Sequence, residues 1–326
     1  MKKATRRITR AALIFILSLS ACPAIVSPFS RGRNGYFARA EILKKNEINL
    51  TINANGKTFC YYYPEIDFSE GRYYLKNAGE VAEDIYFSSL DFPVNASYVL
   101  HSEREQPFEF KEEKVGLGVD KQALLTSIDK VLNSGGGVIN VDKFVPVKPE
   151  ITLPELKKQL LKRGEFSTGY SASAATRKSN ILLACKLLNG TKTDIGEEFS
   201  FNEIVGDRTE ERGFFSAKVI ENGRFTEGVG GGVCQVSSTV YNCALLSGMT
   251  VTERHRHSLA VSYVEPSFDA MVSFSYADLR FLNDSGSPVL IVADANGERL
   301  RIRIYGEENC YRYKRISLVN ELIDPL

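Results

Sequence analysis

A glycine-rich stretch that runs into a cysteine is the strongest candidate for chemistry in this sequence. Residues 228–234 read Gly-Val-Gly-Gly-Gly-Val-Cys, and apolar residues then recur at three- and four-residue steps. This pattern predicts a helix that begins at Cys234 and ends before Gly248. A thiol at a helix N-terminus lies near the positive end of the helix dipole, which favours the thiolate. Cys234 is therefore the candidate nucleophile.

A cysteine nucleophile needs a general base, and two of the three histidines of the chain follow in one short segment. Residues two apart in an extended segment point to the same side, so the spacing does not choose between them. We take His257 as the preferred base and His255 as the alternative. A third group usually orients such a histidine, and Asp269 and Asp278 are candidates for that role.

Several neighbours of the cysteine carry groups that suit an acyl-transfer site. Backbone N–H groups at the start of the helix could stabilise an oxyanion, and the Gln235 side chain adds a further donor. Arg254 could grip a carboxylate, while the hydroxyls of Ser237 and Ser238 either contact substrate or satisfy backbone groups. The predicted substrate-binding residues are Gly231, Gly232, Gln235, Ser237, Ser238, Tyr241, Arg254 and Asp278.

Metal binding and nucleic-acid binding are weaker alternatives. Cys234, His255, His257 and Asp269 are residue types that bind zinc, but no Cys-x-x-Cys or His-Glu-x-x-His motif accompanies them. We therefore predict no metal and no cofactor. The net charge of +1 gives no reason to expect a nucleic-acid partner.

The N-terminus has the pattern of an export signal. Five Lys and Arg residues within residues 1–10 precede a short apolar run at residues 11–19. The sequence Leu-Ser-Ala-Cys ending at Cys22 resembles a bacterial lipobox, which predicts lipidation of Cys22. The alternatives are an ordinary cleaved signal ending near Ala24 and an uncleaved anchor. We expect an exported protein of the cell envelope, anchored to the membrane on its extracytoplasmic side.

The remaining cysteines follow from this prediction. If Cys22 carries lipid, five of the six cysteines remain and at least one cannot pair within the chain. Cys185 and Cys243 lie on apolar helix faces and are expected to pack as small hydrophobic residues. Whether Cys60 and Cys310 pair is left open.

Periodicity predicts an α+β fold with two domains. In the first, a hairpin at Asn49–Tyr63 precedes a helix at Asp120–Asn133 and a strand at Val138–Val147. A short helix at Thr152–Leu161 follows, with Thr152 as its N-cap. The predicted boundaries are 1–22 for the signal peptide, 23–35 for a linker, 36–150 for the first domain, 151–163 for a linker helix, 164–306 for the second domain and 307–326 for a C-terminal tail.

The second domain is predicted to pack helices on an antiparallel sheet. One helix is expected at Ser173–Leu188 and another from Cys234 onward. After that helix the pattern changes to a two-residue period, which indicates strands. The strands predicted after the helix are Thr250–Arg254, Leu259–Val264, Ala270–Tyr276, Val289–Ala293 and Arg299–Tyr305. A further short strand, Lys218–Arg224, is predicted before it and turns at Asn222–Gly223.

These residues together resemble the VanW family of bacterial cell-envelope proteins over 164–306. The region before them more loosely resembles a peptidoglycan-binding domain. The chain departs from the family pattern at Ile195, where proline is usual, and at Ser267–Phe268, where glycine is usual. The matching segments are Phe166–Thr168, Arg177, Asn180, Asn189–Gly190, Phe199–Asn202, Gly230–Asn242, Glu253–Ser258, Tyr263–Val264, Asp269–Ala270 and Asp278–Asn283.

The resemblance implies a cysteine-dependent L,D-transpeptidase that forms 3-3 cross-links between peptidoglycan stem peptides. Cys234 would accept the acyl group and His257 would act as the base. The Ser-x-Gly-Cys-x-Arg signature of better-known L,D-transpeptidases is absent. Two alternatives stay open, namely a thiol peptidase of the cell wall and a non-catalytic module that binds peptidoglycan or its precursors and is linked to glycopeptide resistance.

Overall fold

The computed structural model describes residues 48–221 and 223–308. The predicted signal peptide and first linker, Cys22, Cys310 and most of the predicted tail lie outside these residues. Helices and strands are mixed along the described chain, so the predicted α+β class is confirmed. No helix within the described ranges is long and apolar enough to cross a bilayer.

The helices and strands are labelled in chain order. The helices are α1 Ala78–Ser89, α2 Lys121–Asn133, α3 Leu153–Gln159, α4 Ala175–Leu188, α5 Phe201–Val205 and α6 Val233–Leu246. The strands are β1 Leu50–Ala54, β2 Lys57–Tyr61, β3 Ile66–Ser69, β4 Arg72–Leu75, β5 Ser97–Leu100, β6 Phe108–Lys111, β7 Gly116–Val119, β8 Gly137–Asn140, β9 Phe144–Val147, β10 Leu161–Gly169, β11 Lys192–Thr193, β12 Glu198–Ser200, β13 Ser216–Glu221, β14 Arg224–Val229, β15 Thr250–Glu253, β16 Arg280–Leu282, β17 Val289–Ala295 and β18 Arg299–Gly306.

The described chain divides into two compact units. The smaller unit comprises residues 48–53, 58–81 and 125–140, and the larger one comprises 54–57, 82–124 and 141–308. The smaller unit contains most of a three-stranded sheet in the order β2-β1-β8, in which β1 and β8 run parallel, and the β3–β4 hairpin. Every candidate catalytic residue that the structure describes belongs to the larger unit.

Helix and turn chemistry explains the local predictions that are confirmed. The β1–β2 hairpin turns at Asn55 and Gly56, both of which have positive φ. Helix α3 begins after Thr152, whose hydroxyl and backbone N–H both bond the Glu155 carboxylate in a capping box. The predicted strand at Val138–Val147 is wrong as one element. It is split into β8 and β9.

A four-stranded antiparallel sheet supports the larger unit. Its order is β10-β18-β17-β11, and α6 packs on β10 and β18 while α4 packs on β17. The helix-on-antiparallel-sheet arrangement predicted for this region is therefore present. Apolar side chains of both helices and of the sheet form one core, and its fully buried members include Ile181, Ala184, Val236, Val240, Ile291, Ile302 and Ile304.

Two of the predicted strands are wrong. Residues 259–264 form bends, and residues 270–276 form only isolated bridges, such as His255 with Met271. The alternation in the second segment arises because Ala270 and Val272 are buried while Met271 and Ser273 are partly exposed. A two-residue period therefore appears without a continuous partner strand. The predicted strand at Lys218–Arg224 is present as β13, which pairs with β14 in a hairpin.

Candidate active site

Three glycines let the start of α6 approach its neighbours closely. Gly230 and Gly232 have φ of +86° and +108°, a left-handed region that L side chains rarely adopt. A Cβ at Gly231 would lie 2.7 Å from the backbone oxygen of Lys218 on β13. A Cβ at Gly232 would lie 2.9 Å from Cγ of Arg177 on α4. The glycines thus fix where α6 begins, and with it the position of Cys234.

The structure brings Cys234, His257 and Asp269 together. The His257 imidazole interacts with the Cys234 thiol, and the Cys234 sulfur lies 3.5 Å from the backbone oxygen of Val272. His257 Nδ1 lies 2.7 Å from Oδ2 of Asp269. Because Nδ1 is engaged by the carboxylate, Nε2 is the nitrogen left for the sulfur. The three side chains have the connectivity of a Cys–His–Asp triad.

Asp269 is itself held by several donors. Its Oδ2 also accepts the backbone N–H of His257 at 2.7 Å, and its Oδ1 accepts Nη2 of Arg254 at 2.9 Å. Arg254 donates further to the carbonyls of Ser267 and Asp269, and its guanidinium lies 5.4 Å from the ring centroid of Tyr241. Arg254 therefore positions the loop that carries Asp269, with Tyr241 stacked behind it.

The charges of these groups shift one another's pKa. Burial raises the pKa of the Cys234 thiol, but His257, the Val272 carbonyl contact and the charge of Arg208 together bring that pKa below its ordinary value. Burial lowers the pKa of His257, but its contacts with Cys234 and Asp269 raise it overall. Burial likewise opposes ionisation of Asp269, yet the His257 donors and Arg254 lower its pKa. The site therefore favours a thiolate–imidazolium pair.

His255 occupies a different position from His257. Its Nε2 lies 2.9 Å from the Glu253 carboxylate, and 40% of its side chain is exposed. By contrast, only 5% of the His257 side chain is exposed. The backbone from His255 to His257 is irregular beyond one isolated bridge, so the two rings do not share a face. The geometry separates the two candidate bases that spacing left equivalent.

Ser237 and Ser238 tie the helix to the loop that carries Asp269. Ser238 Oγ donates to the Cys234 carbonyl at 2.7 Å and accepts the N–H of Ala270 at 2.8 Å. Ser237 Oγ donates to the Ala270 carbonyl at 2.6 Å. Both serines are fully buried. The two roles predicted for these hydroxyls were contact with substrate and bonding to backbone groups. In the structure both hydroxyls bond backbone groups.

The Gln235 amide is committed to other residues of the protein. Its Nε2 donates to Thr168 Oγ1 and to the Gly169 carbonyl, both at 2.9 Å, and its Oε1 accepts Arg177 Nη2 at 2.9 Å. The backbone N–H of Gln235 donates to the Gly232 carbonyl. Gln235 thus fixes Arg177 and β10 beside the cysteine, and its donors are already used.

Asp278 forms a separate buried network. Its carboxylate accepts the Ser200 hydroxyl at 2.5 Å and the Asn202 backbone N–H at 2.9 Å, and it pairs with Arg280 at 3.1 Å. These contacts cap α5 and leave the carboxylate without a bond to either histidine. Asp269, and not Asp278, is therefore the acceptor beside His257.

A cavity of about 1000 Å³ opens beside the cysteine. Cys234, His257, Gly231, Gly232 and Gln235 all contribute to its wall. Five other predicted substrate-binding residues are absent from the wall, namely Ser237, Ser238, Tyr241, Arg254 and Asp278. The aromatic residues that line the cavity are Tyr170, Phe225, Tyr263, Phe274 and Tyr276. This volume is enough for a peptide-sized ligand.

Sequence reasoning assigned no site role to three polar residues of this wall. Burial raises the pKa of Tyr263 far above its ordinary value. Arg177 contacts Ser173 and Gln235. Arg208 lies in a segment that is rich in charged residues and reads as solvent-exposed. Tyr263 and Arg177 stand in the segments that match the family pattern, whereas no local pattern distinguishes Arg208.

Within the part of the chain that the structure describes, no group of three or more His, Cys, Asp or Glu residues is arranged to hold a metal ion. The zinc alternative for Cys234, His255, His257 and Asp269 thus gains no support. His255 faces Glu253, whereas His257 bonds Asp269 and interacts with Cys234.

The larger unit thus combines an α+β fold with Cys234, His257 and Asp269 grouped at the N-terminus of α6. Residues 176–305 match the family model described as "VanW like protein". This part of the chain is a VanW-family domain.

Two curated relatives align with the chain. It is 37% identical over 167 residues to the uncharacterized protein YoaR of Bacillus subtilis, covering 49% of this chain and 55% of that protein. It is 27% identical over 135 residues to the vancomycin B-type resistance protein VanW of Enterococcus faecalis, covering 40% of this chain and 49% of that protein. The chain thus spans about half the length of the curated relatives it matches.

Two solved structures were also found by structural comparison. One is described as the Ldtfm-avibactam carbamoyl enzyme, with a TM-score of 0.22, 8% identity and coverage of 60% of this chain and 74% of that one. The other is an Enterococcus faecium L,D-transpeptidase with a cysteine-to-serine substitution, with a TM-score of 0.21, 8% identity and coverage of 59% and 75%.

Proposed function

We propose that this protein is a cysteine-dependent acyltransferase of the cell wall, and that it joins peptidoglycan stem peptides by L,D-transpeptidation. The observation that carries the proposal is the juxtaposition of Cys234, His257 and Asp269, in which His257 bonds Asp269 and interacts with Cys234 beside a peptide-sized cavity. Membership in the VanW family supports a cell-wall role, because the relative in Enterococcus faecalis is named for resistance to vancomycin. Export and lipidation at Cys22 belong to the same proposal.

The first half-reaction would form a thioester. The Cys234 thiolate attacks the carbonyl carbon of a diaminopimelate residue, and the carbonyl oxygen takes the negative charge of a tetrahedral intermediate. The C–N bond to the terminal D-residue then breaks. His257, held as an imidazolium by Asp269, gives its proton to the departing amine. The terminal residue leaves as a free amino acid.

The second half-reaction would transfer the acyl group to a neighbouring stem peptide. The amine of that peptide attacks the thioester, His257 takes the proton, and the C–S bond breaks to restore the thiolate. An amide product requires that the acceptor amine outcompete water at the thioester. The exposed aromatic side chains of Phe225, Phe274 and Tyr276 at the cavity wall would provide apolar surface that excludes water.

The test is incubation of the purified protein with tetrapeptide muropeptides, with products identified by mass. We expect a dimer that has lost one terminal residue, and we expect Cys234→Ala to abolish it. Shortened monomers that depend on Cys234 would replace this proposal with peptidase activity. Binding without any product, equal in wild type and Cys234→Ala, would leave a peptidoglycan-binding module.

A further inference from the structure

One arginine in the wall of the cavity has terminal nitrogens that make no hydrogen bond within the described chain. Both terminal nitrogens of Arg208 are buried, and neither donates to any acceptor among the described residues. The guanidinium carbon lies 5.6 Å from the ring centroid of Phe201. Burying a guanidinium without hydrogen bonds is unfavourable, and each such group in a native protein requires an explanation.

The neighbouring carboxylates do not provide that partner. The Asp207 carboxylate accepts the backbone N–H of Arg208 at 2.8 Å, which leaves the guanidinium unbound. The Asp278 carboxylate is taken by Ser200, Asn202 and Arg280. Burial lowers the pKa of Arg208, while the charges of Cys234, Asp278 and Asp207 raise it without a hydrogen bond to its terminal nitrogens.

Two other cations of the same wall are engaged or exposed. Arg177 donates to Ser173 at 2.7 Å and to Gln235 at 2.9 Å. Lys218 is exposed to solvent and lies 5.6 Å from the ring centroid of Phe225. Arg208 thus differs from both of them, because its terminal donors are buried and unused.

The backbone beside Arg208 is shaped to hold the side chain near the nucleophile. A Cβ at Gly230 would lie 2.7 Å from Cβ and 2.8 Å from Cγ of Arg208. Gly230 belongs to the loop that leads into α6, so the arginine stem packs on the segment that presents Cys234. Arg208, Gly230 and Cys234 all line the cavity.

We propose that Arg208 binds the free C-terminal carboxylate of the acyl donor, on the residue that the reaction releases. A guanidinium presents paired N–H donors whose planar geometry matches a carboxylate, and a desolvated site strengthens that bond. The inference deepens the proposed function and rests on it. It implies that the protein removes a single terminal residue and does not cut within a peptide.

Alkylation of Cys234 tests the carboxylate site without requiring turnover. Iodoacetate carries a carboxylate next to its reactive carbon, whereas iodoacetamide is its neutral counterpart. We expect the ratio of the iodoacetate rate to the iodoacetamide rate to fall at least about tenfold in Arg208→Gln, the loss of one charge-assisted contact. The ratio cancels any change in thiolate content. Arg208→Lys, which keeps the charge, should retain part of the preference.

The matched control is Arg224→Gln, which removes an exposed arginine from β14 of the neighbouring hairpin. Its rate ratio should equal that of the wild type. An unchanged ratio in a folded Arg208→Gln protein, checked by circular dichroism, overturns the inference. An equal fall in the Arg224→Gln control also overturns it, because the effect would then come from the general field of the surface.

A second measurement separates this inference from the proposed function. A tetrapeptide stem with a free C-terminal carboxylate and its C-terminal amide are compared as protectants of Cys234 against iodoacetamide. We expect the acid to protect the wild type at a concentration at least about tenfold lower than the amide, and Arg208→Gln to remove the difference. Acid preference without any turnover would overturn transpeptidation and keep the carboxylate site. Turnover with equal use of acid and amide would do the reverse.

Discussion

Nδ1 of His257 and Oδ2 of Asp269 lie 2.7 Å apart, and the same oxygen accepts the backbone N–H of His257. One carboxylate oxygen therefore fixes both the ring and the main chain of the proposed base. This double contact determines which tautomer is favoured, because a proton on Nδ1 faces the carboxylate and leaves Nε2 free to exchange a proton with the sulfur.

Asp269→Asn should lower the acyl-transfer rate while leaving the fold intact. An amide in place of the carboxylate stabilises the imidazolium poorly and permits the wrong tautomer, and a loss of roughly a thousandfold in kcat is expected. The measurement is the initial rate of dimer formation. Asp142→Asn, at an exposed aspartate, is the control and should retain wild-type activity. A loss below about threefold would remove Asp269 from the proposed triad.

The two histidines should differ sharply when substituted. His257→Ala should lower kcat by roughly three orders of magnitude, because it removes the group that moves the proton. His255→Ala should leave the rate within about twofold, because His255 pairs with Glu253 rather than with Asp269. Rates of both variants on the same muropeptide provide the comparison. Equal losses would contradict the assignment of the base.

The reactivity of Cys234 should show a thiolate at unusually low pH. As pH rises through the lowered pKa of this thiol, the thiolate forms, so the rate of alkylation should reach half its maximum below about pH 8.5. In His257→Gln the opposing effect of burial remains without the imidazolium, and the midpoint should move upward. The measurement is the iodoacetamide rate from pH 4 to about 10, a range that brackets an ordinary thiol. Coincident curves would contradict the proposed ion pair.

Gly231→Ala should destabilise the larger unit. Its Cβ would lie 2.7 Å from the Lys218 oxygen and 2.8 Å from the Ala217 carbonyl carbon, so backbone must move, at a cost of about 1–3 kcal/mol. Urea-induced unfolding measures the change in free energy. Gly169→Ala is the control, because its Cβ would contact nothing within 4 Å and its φ lies outside the left-handed region that disfavours side chains. A neutral Gly231→Ala variant would show that β13 can shift freely.

Local patterns predicted helices α2, α3, α4 and α6 and the residues at the start of α6, but they did not predict α1 or α5. Cys234 was identifiable because a glycine run and a helical period are properties of adjacent residues. The sequence could not distinguish His257 from His255, because the difference depends on how Asp269 and Arg254 hold an irregular segment of backbone. Arg208 was missed for a related reason. A charged residue in a polar segment reads as solvated, and its burial arises only when Gly230 packs against it.

Ser237 and Ser238 affect the entropy cost of the proposed reaction. Their hydroxyls bond the backbone of Ala270 to α6. The proposed nucleophile Cys234, the base His257 and Asp269 are therefore aligned before any substrate arrives. The entropy of arranging the three groups is then lost once, during folding, and not at each turnover. Such preorganisation leaves the substrate's binding energy available for placing its own reacting carbonyl.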